Sequence, residues 1–243
     1  MRIKMYGETN IGQIRSKNQD SFYFNELQGL IVVADGIGGR PGGEIASQIA
    51  VDGVRKAFIQ CDSLRAEEVG HFLLNAVEQA NSQIIERGQK SQKYLGMGTT
   101  INVLLFVGDV LYIAHIGDSR SYLQTQNHFW QLTVDHSIEV YVEKGWFPPE
   151  VLKANSKPDA LVRALGLSER CEADIYEKPL RVGEVFLTCS DGLTGMVSDR
   201  KINDVIRENR DRLELVPNIL ISEANRNGGK DNITVVISEV VDN

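Results

Sequence analysis

The sequence predicts an α+β fold, because apolar residues with helical spacing and apolar residues with strand spacing lie in separate blocks of the chain. Helical spacing runs through 43–58 and again, more regularly, through 69–84. Residues 101–116 instead hold two apolar runs separated by Gly108-Asp109, a pattern typical of a β-hairpin with a two-residue turn. The regular alternation of strands and helices that indicates a doubly wound parallel sheet does not occur.

The other elements follow from the same two spacings. Further strands are predicted at 21–24, 30–34, 119–123, 185–189 and 233–238, and a further helix at 213–224. The segment at about 136–162 has the least regular pattern and contains Pro148-Pro149 beside Trp146 and Phe147, so we expect a flap there. No linker-like stretch interrupts the chain, which predicts one domain over residues 1–243.

Composition excludes several classes of function. No stretch approaches the roughly 20 apolar residues that cross a bilayer, and the first residues lack a secretory signal, so we expect a cytoplasmic protein with no membrane contact. A net charge of −7 without a lysine-rich run argues against nucleic acid as a partner. The three cysteines contain no CxxC pair, which argues against a zinc site and a disulfide framework.

Five aspartates stand at the ends of predicted strands. Three follow a strand and two precede one: Asp35, Asp118, Asp191, Asp20 and Asp231. In an antiparallel sheet the ends of some strands and the starts of others meet at one edge, so we expect one rim to gather all five. Singly, each aspartate is more often a turn residue. Together they would repel one another unless cations lay among them.

The candidate ligands are oxygens, which suit Mg²⁺ or Mn²⁺ rather than zinc or copper. Gly36 lacks a Cβ, so its carbonyl oxygen can approach a metal beside Asp35. The rival reading is a phosphate-binding loop that opens a helix. Pro41 stands where the dinucleotide fingerprint needs glycine, and no GK[ST] follows, which disfavours it.

Arg15 is the cation best placed in sequence to bind phosphate. It lies five residues before Asp20 and can offer a bidentate fork to phosphate oxygens, although a solvated surface arginine is the commoner case. Two metals at the rim would activate water for attack on a phosphoryl group. The residues therefore predict a metal-dependent phosphoesterase.

The sequence resembles the type 2C metal-dependent Ser/Thr protein phosphatases, in their bacterial form. Eight motifs carry the resemblance in order from Arg15 to near the C-terminus: RSKNQD, DGIGG, GTT, GDSR, DHS, RALG, SDGL and KDNIT. The resemblance implies a four-layer α-β-β-α sandwich, with two central antiparallel β-sheets flanked by helix pairs.

The resemblance also implies a role for each site residue. It makes Asp35 the carboxylate that bridges two metals and Gly36 a carbonyl ligand. Asp191 and Asp231 would hold the first metal and Asp20 the side of the second, while Asp118 with Asp191 would bind a third, weaker ion. Arg15 would hold the substrate phosphate, Thr99 and Thr100 would support the metal edge, and the segment after His136 would form the family's flap.

Two positions depart from the eukaryotic members. Ile37 replaces a histidine proposed to protonate the leaving oxygen, and Gln19 replaces a glutamate near the second metal. His136 is a candidate replacement acid, although a histidine beside a loop is as readily a local hydrogen-bonding residue. His115 alternates within a predicted strand, so we expect a sheet residue.

Three functions remain open. The favoured one is a cytoplasmic, monomeric phosphatase that hydrolyses phosphoserine and phosphothreonine in proteins, opposes a Ser/Thr kinase and uses two or three Mg²⁺ or Mn²⁺ ions. The first alternative is a catalytically weak member that binds phosphoproteins as a regulatory module. The second is a phosphoesterase that acts on small molecules.

Overall fold

A computed structural model describes residues 1–61 and 64–242, which form two antiparallel sheets with helices outside each. Within these ranges the strands are β1 (Arg2–Asn10), β2 (Asp20–Asn25), β3 (Leu30–Asp35), β4 (Ile101–Val107), β5 (Val110–Ile116), β6 (Arg120–Gln124), β7 (Phe129–Gln131), β8 (Asp174–Pro179), β9 (Val185–Cys189) and β10 (Ile233–Val241). The α-helices are α1 (Gly43–Ile59), α2 (Ala66–Gln89), α3 (Ile138–Glu143), α4 (Glu150–Ala154), α5 (Asp191–Thr194), α6 (Asp199–Glu208) and α7 (Val216–Arg226). Short 3₁₀ turns lie at Gln92–Tyr94 and Leu213–Leu215.

The first sheet has the strand order β1-β10-β9-β6-β7, and the second has the order β2-β3-β4-β5-β8. All the pairings within both sheets are antiparallel. The predicted hairpin is β4-β5, which closes at the Val107–Val110 pair. The predicted α+β class is therefore confirmed.

Three apolar layers hold the four layers of structure together. One lies between the second sheet and α1 and α2, and another between the first sheet and α5 to α7. The third lies between the sheets, where Val33, Leu104, Phe186 and Val236 are at most 1% exposed. Burial of apolar area at about 25 cal/mol per Å² makes these layers the main source of stability. The four-layer sandwich is confirmed.

The predicted flap forms a closed loop with two short helices, α3 and α4. Its base is fastened by a bridge between Ser137 and Leu161 and by the Val162 amide, which donates to the His136 carbonyl at 2.7 Å. Inside the flap, the Tyr141 ring packs edge-on against Trp146 and Phe147. Among the helices of residues 1–61 and 64–242, none is long and apolar enough to cross a membrane.

Candidate active site

The five predicted aspartates lie together at one end of the sandwich, on a rim that both sheets share. Asp20 begins β2 and pairs in register with Asp35, which ends β3. Asp191 follows β9 as the first residue of α5, and Asp231 comes just before β10. Asp118 lies in the connection from β5 to β6, which crosses from the second sheet to the first. We expected the rim of one sheet, and the structure divides it between two.

The rim opens into a cleft of about 600 Å³. Four of the carboxylates line it together with the predicted arginine: Asp35, Asp118, Asp191, Asp231 and Arg15. The flap contributes one wall through Lys157, Asp159, Ala160 and Leu161. Asp20 is more deeply placed, at 8% exposure. The cleft therefore joins the predicted site to the predicted flap.

Asp35 is the centre of the carboxylate cluster. Its carboxyl group lies within hydrogen-bonding reach of both Asp20 and Asp191. Burial, followed by repulsion from Asp20, Asp191 and Asp118, raises its pKa well above the ordinary value for aspartate. Without cations, this environment therefore favours the protonated form of Asp35.

The pKa values of the neighbouring carboxyl groups are raised as well. Burial raises the pKa of Asp20 to about 6, although hydrogen bonds donated by the Thr234 and Ser190 hydroxyls at 2.6 and 2.8 Å oppose that shift. Burial, with repulsion from Asp191 and Asp135, raises the pKa of Asp118 to about 8. The pKa of Asp191 is also raised, mainly by burial.

These residues fit divalent metal ions. The Oδ1 atoms of Asp20 and Asp191 are buried and receive no hydrogen bond from the described residues, so each has an unused lone pair. Across residues 1–61 and 64–242, no group of three or more acidic, histidine or cysteine side chains is arranged so that it could hold a metal ion by itself. Magnesium-type sites commonly complete their coordination with water and carbonyl oxygens, and a cation would draw mutually repelling carboxylates together.

Packing requires glycine at position 36. A Cβ at this position would lie 2.3 Å from the Gly43 carbonyl oxygen and 2.8 Å from that of Gln19. The end of β3 therefore contacts the first residue of α1 backbone to backbone. This contact allows the chain to leave the rim directly after Asp35.

Two threonines fix the backbone of Asp35, as predicted. The Thr99 hydroxyl donates to the Asp35 carbonyl at 2.8 Å, and the Asp35 amide donates to the Thr100 hydroxyl at 2.9 Å. The Thr100 hydroxyl also bonds to Ser119 Oγ at 2.7 Å, one residue after Asp118. Two hydroxyl groups thus connect the Asp35 amide to Ser119, the residue next to Asp118.

Arg15 lies at the cleft beside the carboxylates. Its guanidinium donates to Asp231 Oδ2 at 2.6 Å, and its side chain remains 36% exposed. It packs over Gly38, where a Cβ would lie 3.0 Å from Arg15 Nη1. Ile37 also lines the cleft, so no proton donor stands at that position.

The histidine proposed as a replacement acid is not in the cleft. The His136 ring is fully buried, accepts a hydrogen bond from the Gly117 amide at Nδ1 over 3.1 Å, and contacts Asp174 Oδ2 through Nε2 at 3.1 Å. Both nitrogens are engaged, and burial lowers the pKa of the ring. His136 is therefore a local hydrogen-bonding residue. His115 is a buried residue of β5, as predicted.

Asn232 is a site residue that the sequence did not reveal. Its Nδ2 donates to the carbonyls of Ile11 and Lys17, both at 2.9 Å, and its Oδ1 accepts from the Gln19 amide at 2.8 Å. It therefore holds the segment from Ile11 to Gln19, which carries Arg15, against the strand that follows Asp231. Its position beside Asp231 in KDNIT was the available signal.

Comparisons with known proteins agree with this geometry. The family model described as protein phosphatase 2C matches residues 12–217. The chain is 34% identical over 236 residues to a serine/threonine phosphatase stp of Listeria welshimeri, covering 95% of this chain and 93% of that protein. It is 34% identical to protein phosphatase PhpP of Streptococcus pneumoniae, with 94% of each chain covered.

Solved structures give the same result. The serine/threonine phosphatase PstP/Ppp of Mycobacterium tuberculosis matches with a TM-score of 0.87 and 31% identity, covering 100% of both chains. The catalytic domain of PstP in complex with two manganese ions matches with a TM-score of 0.86 and 32% identity, covering 99% of each chain.

Proposed function

The chain belongs to the protein phosphatase 2C family and is a metal-dependent serine/threonine protein phosphatase, and from that premise we propose how its own residues carry out the reaction. The substrate is a phosphoserine or phosphothreonine monoester in a protein. Water attacks the phosphorus directly and no covalent enzyme intermediate forms. The products are inorganic phosphate and the free hydroxyl side chain.

We assign a binuclear magnesium or manganese centre to the rim. Asp20, Asp35, Gly36, Asp191 and Asp231 would be its ligands, and Asp118 with Asp191 would hold a third ion. When bound, such ions would activate water for attack and neutralise charge on the phosphoryl group. The observation that carries this assignment is the position of Asp35 between Asp20 and Asp191, where only a proton or a cation relieves the repulsion.

The chain's other residues bind and orient the substrate. Arg15 lies at the edge of the cleft and directs its guanidinium N–H groups to the phosphate oxygens, while its contact with Asp231 fixes its orientation. Ile37 has no proton to give, so we assign protonation of the leaving oxygen to a water molecule in the cleft rather than to this position. The flap wall, from Lys157 to Leu161, contacts the polypeptide that carries the phosphate.

The test is phosphate release from a phosphothreonine peptide in the presence of Mn²⁺, with and without EDTA. We expect release that EDTA abolishes and that Asp35→Asn lowers more than about 100-fold, because loss of even an outer partner of a metal site costs 10–100-fold. Asp211→Asn removes an exposed carboxylate elsewhere and should retain activity. Absence of release at all Mg²⁺ and Mn²⁺ concentrations would refute the proposal.

The alternative functions are less favoured by the site. A binding module has no need of metal ligands, and all five aspartates are retained here. Calorimetry showing no Mn²⁺ binding would revive that alternative. A panel of nucleotides and sugar phosphates tests the small-molecule alternative. Opposition to a Ser/Thr kinase, a monomeric state, a cytoplasmic location and a single domain over 1–243 remain predictions, the last supported by the apolar layer between the sheets.

A further inference from the structure

A second depression, of about 310 Å³, adjoins the catalytic cleft. It shares Arg15 and Arg40 with the cleft, so the two are continuous at these residues. Its far side is formed by the 3₁₀ turn that contains Lys93 and Tyr94. A polypeptide whose phosphate lies at Arg15 can therefore extend into this depression.

The depression is basic although the whole chain carries a net charge of −7. It is lined by one acidic side chain, that of Glu44, and by four cationic side chains, those of Arg15, Lys17, Arg40 and Lys93. Arg15 pairs with Asp231, and Lys17 pairs with Glu44 at 3.1 Å. In the described part of the chain, Arg40 and Lys93 have no carboxylate partner within 4.0 Å.

The backbone brings these two unpaired cations to one place. Gly42 precedes α1 with a φ of +72°, and a Cβ there would lie 2.8 Å from Tyr94 Cδ1, so only glycine lets this loop pack on the turn. Arg40 Nη1 donates to the Gly96 carbonyl at 3.3 Å, which ties it to the same turn. Lys93 Nζ lies 5.2 Å from the centroid of the Tyr94 ring.

We propose that Arg40 and Lys93 form a second anion-binding subsite, which takes an acidic or a second phosphorylated side chain of the phosphoprotein substrate. This inference rests on the proposed function, because it requires the scissile phosphate to lie at Arg15. The Arg40 fork suits the paired oxygens of a carboxylate or phosphate, and Lys93 adds a point charge. Substrates with two neighbouring anions would then be preferred over those with one.

The experiment compares three peptide sets on the Mn²⁺-loaded enzyme. Every peptide has the same central phosphothreonine, and the three sets differ in the residue placed at each flanking position in turn, which is a neutral residue, an aspartate or a second phosphothreonine. The readout is the kcat/KM of the peptide with a second anionic side chain divided by the kcat/KM of the peptide with the neutral residue. The ratio is measured within each variant, so that a general change in activity cancels. We expect a ratio of about three to ten for the wild type at the best position, acting through KM.

In the double variant Arg40→Gln/Lys93→Gln the ratio should fall to about one, and in the wild type it should shrink as KCl is raised. The matched control is Arg200→Gln/Lys201→Gln, which removes the same charge from exposed positions of α6 in the other helical layer and should keep the wild-type ratio. A wild-type kcat/KM ratio above one with either the aspartate or the second phosphothreonine supports the subsite.

Three results would overturn it: a wild-type ratio of one at every position, an unchanged ratio in the double variant, or an equal fall in the control. A failure of the proposed function looks different, because then no peptide of any set, including the neutral one, would release phosphate.

Discussion

The His136 ring holds the backbone beside Asp118 in place without reaching the cleft. Its Nδ1 accepts the Gly117 amide, and its Nε2 contacts Asp174, which also binds Arg163 at 2.8 Å. Gly117 has a φ of +112°, and a Cβ there would lie 2.6 Å from the Thr100 side chain, so the turn has no room to adjust. The ring therefore links the position of Asp118 to the base of the flap.

Two substitutions separate these contacts. His136→Asn keeps an acceptor near the Nδ1 position, whereas His136→Gln extends toward Asp174 and loses the acceptor for the Gly117 amide. We expect the Gln variant to need more Mn²⁺ for half-maximal activity than the Asn variant, because it leaves the turn before Asp118 unsupported. Both should lose about 1–3 kcal/mol of unfolding free energy, the cost of an unsatisfied buried polar group.

A Mn²⁺ titration of activity and a urea unfolding curve check this prediction. Equal Mn²⁺ requirements in the two variants would contradict the link between the Gly117 contact and Asp118. A wild-type requirement in both would show that the ring contributes to stability alone.

At the scale of single residues, the sequence could identify groups whose chemistry depends on their own type. The aspartates stood at strand ends, and Arg15 stood near one of them. Asn232 and the partners of His136 could not be found in this way, because the contacts are distant in sequence: Asn232 bonds to Ile11, 221 residues away, and His136 to Asp174, 38 residues away. Only the folded chain shows which amide faces which acceptor.

At the scale of elements, strands with strong apolar patterns were predicted within a residue or two of their bounds, except that β10 runs on to Val241. The strands β1, β7 and β8 were missed. β7 has three residues, and β8 ends in a proline at a sheet edge, so neither carries a strong pattern. The apolar pattern of β1 is weak, since Met5 is its one buried apolar residue.

The contact between α5 and the segment before β10 leaves no space for a side chain. A Cβ on Gly192 would lie 1.9 Å from the Asn232 carbonyl oxygen. Gly192→Ala should therefore displace Asp191 from Asp231, costing more than about 2 kcal/mol of stability and most of the Mn²⁺ affinity. Thermal unfolding and calorimetry with Mn²⁺ measure the two losses.

Gly70→Ala is the matched control. It lies within α2, where the nearest atom to an added Cβ is Ile175 Cγ2 at 3.8 Å, an ordinary contact. Alanine in a helix interior should stabilise the protein by about 0.5–1 kcal/mol and leave Mn²⁺ binding unchanged. A Gly192→Ala variant with wild-type stability and Mn²⁺ affinity would refute the predicted clash.

At the scale of the whole molecule, the order of the layers could not be derived from spacing or composition. Periodicity gave strands and helices, but it did not say that they form two sheets face to face, with the site carboxylates drawn from both. The two-sheet sandwich came from the resemblance carried by eight motifs, and the comparisons and the structure confirm it, whereas the division of the carboxylates between the sheets was not predicted. The physical reason is that sheet order depends on contacts between distant parts of the chain.

The carboxylate cluster makes stability depend on pH and on metal ions together. In the metal-free protein the pKa of Asp118 is raised to about 8 and that of Asp35 well above its ordinary value. The folded state therefore binds more protons than the unfolded state at neutral pH, so stability falls as pH rises from about 7 to 8. His115 and His136, whose pKa values are lowered by burial, act in the opposite direction below about pH 6.5.

Thermal unfolding in EDTA should thus give a lower midpoint at about pH 8 than at about pH 7, and Asp118→Asn should flatten this dependence. Mn²⁺ should raise the midpoint more at the higher pH, because the ions then displace fewer protons. A metal-free midpoint that rises between these two pH values would contradict the predicted linkage.

Because β10 comes late in the chain, the first sheet can be completed only late in synthesis. β10 is made after β1 to β9, yet it lies inside the first sheet, between β1 and β9, and pairs with β1 along its full length from Ile233 to Val241. During translation more than 200 residues are made between β1 and its partner strand β10. Asp231 is made only just before β10. A nascent chain interrupted before Asp231 thus lacks both the partner of β1 and one carboxylate of the rim, so we expect phosphatase activity only when translation has passed β10.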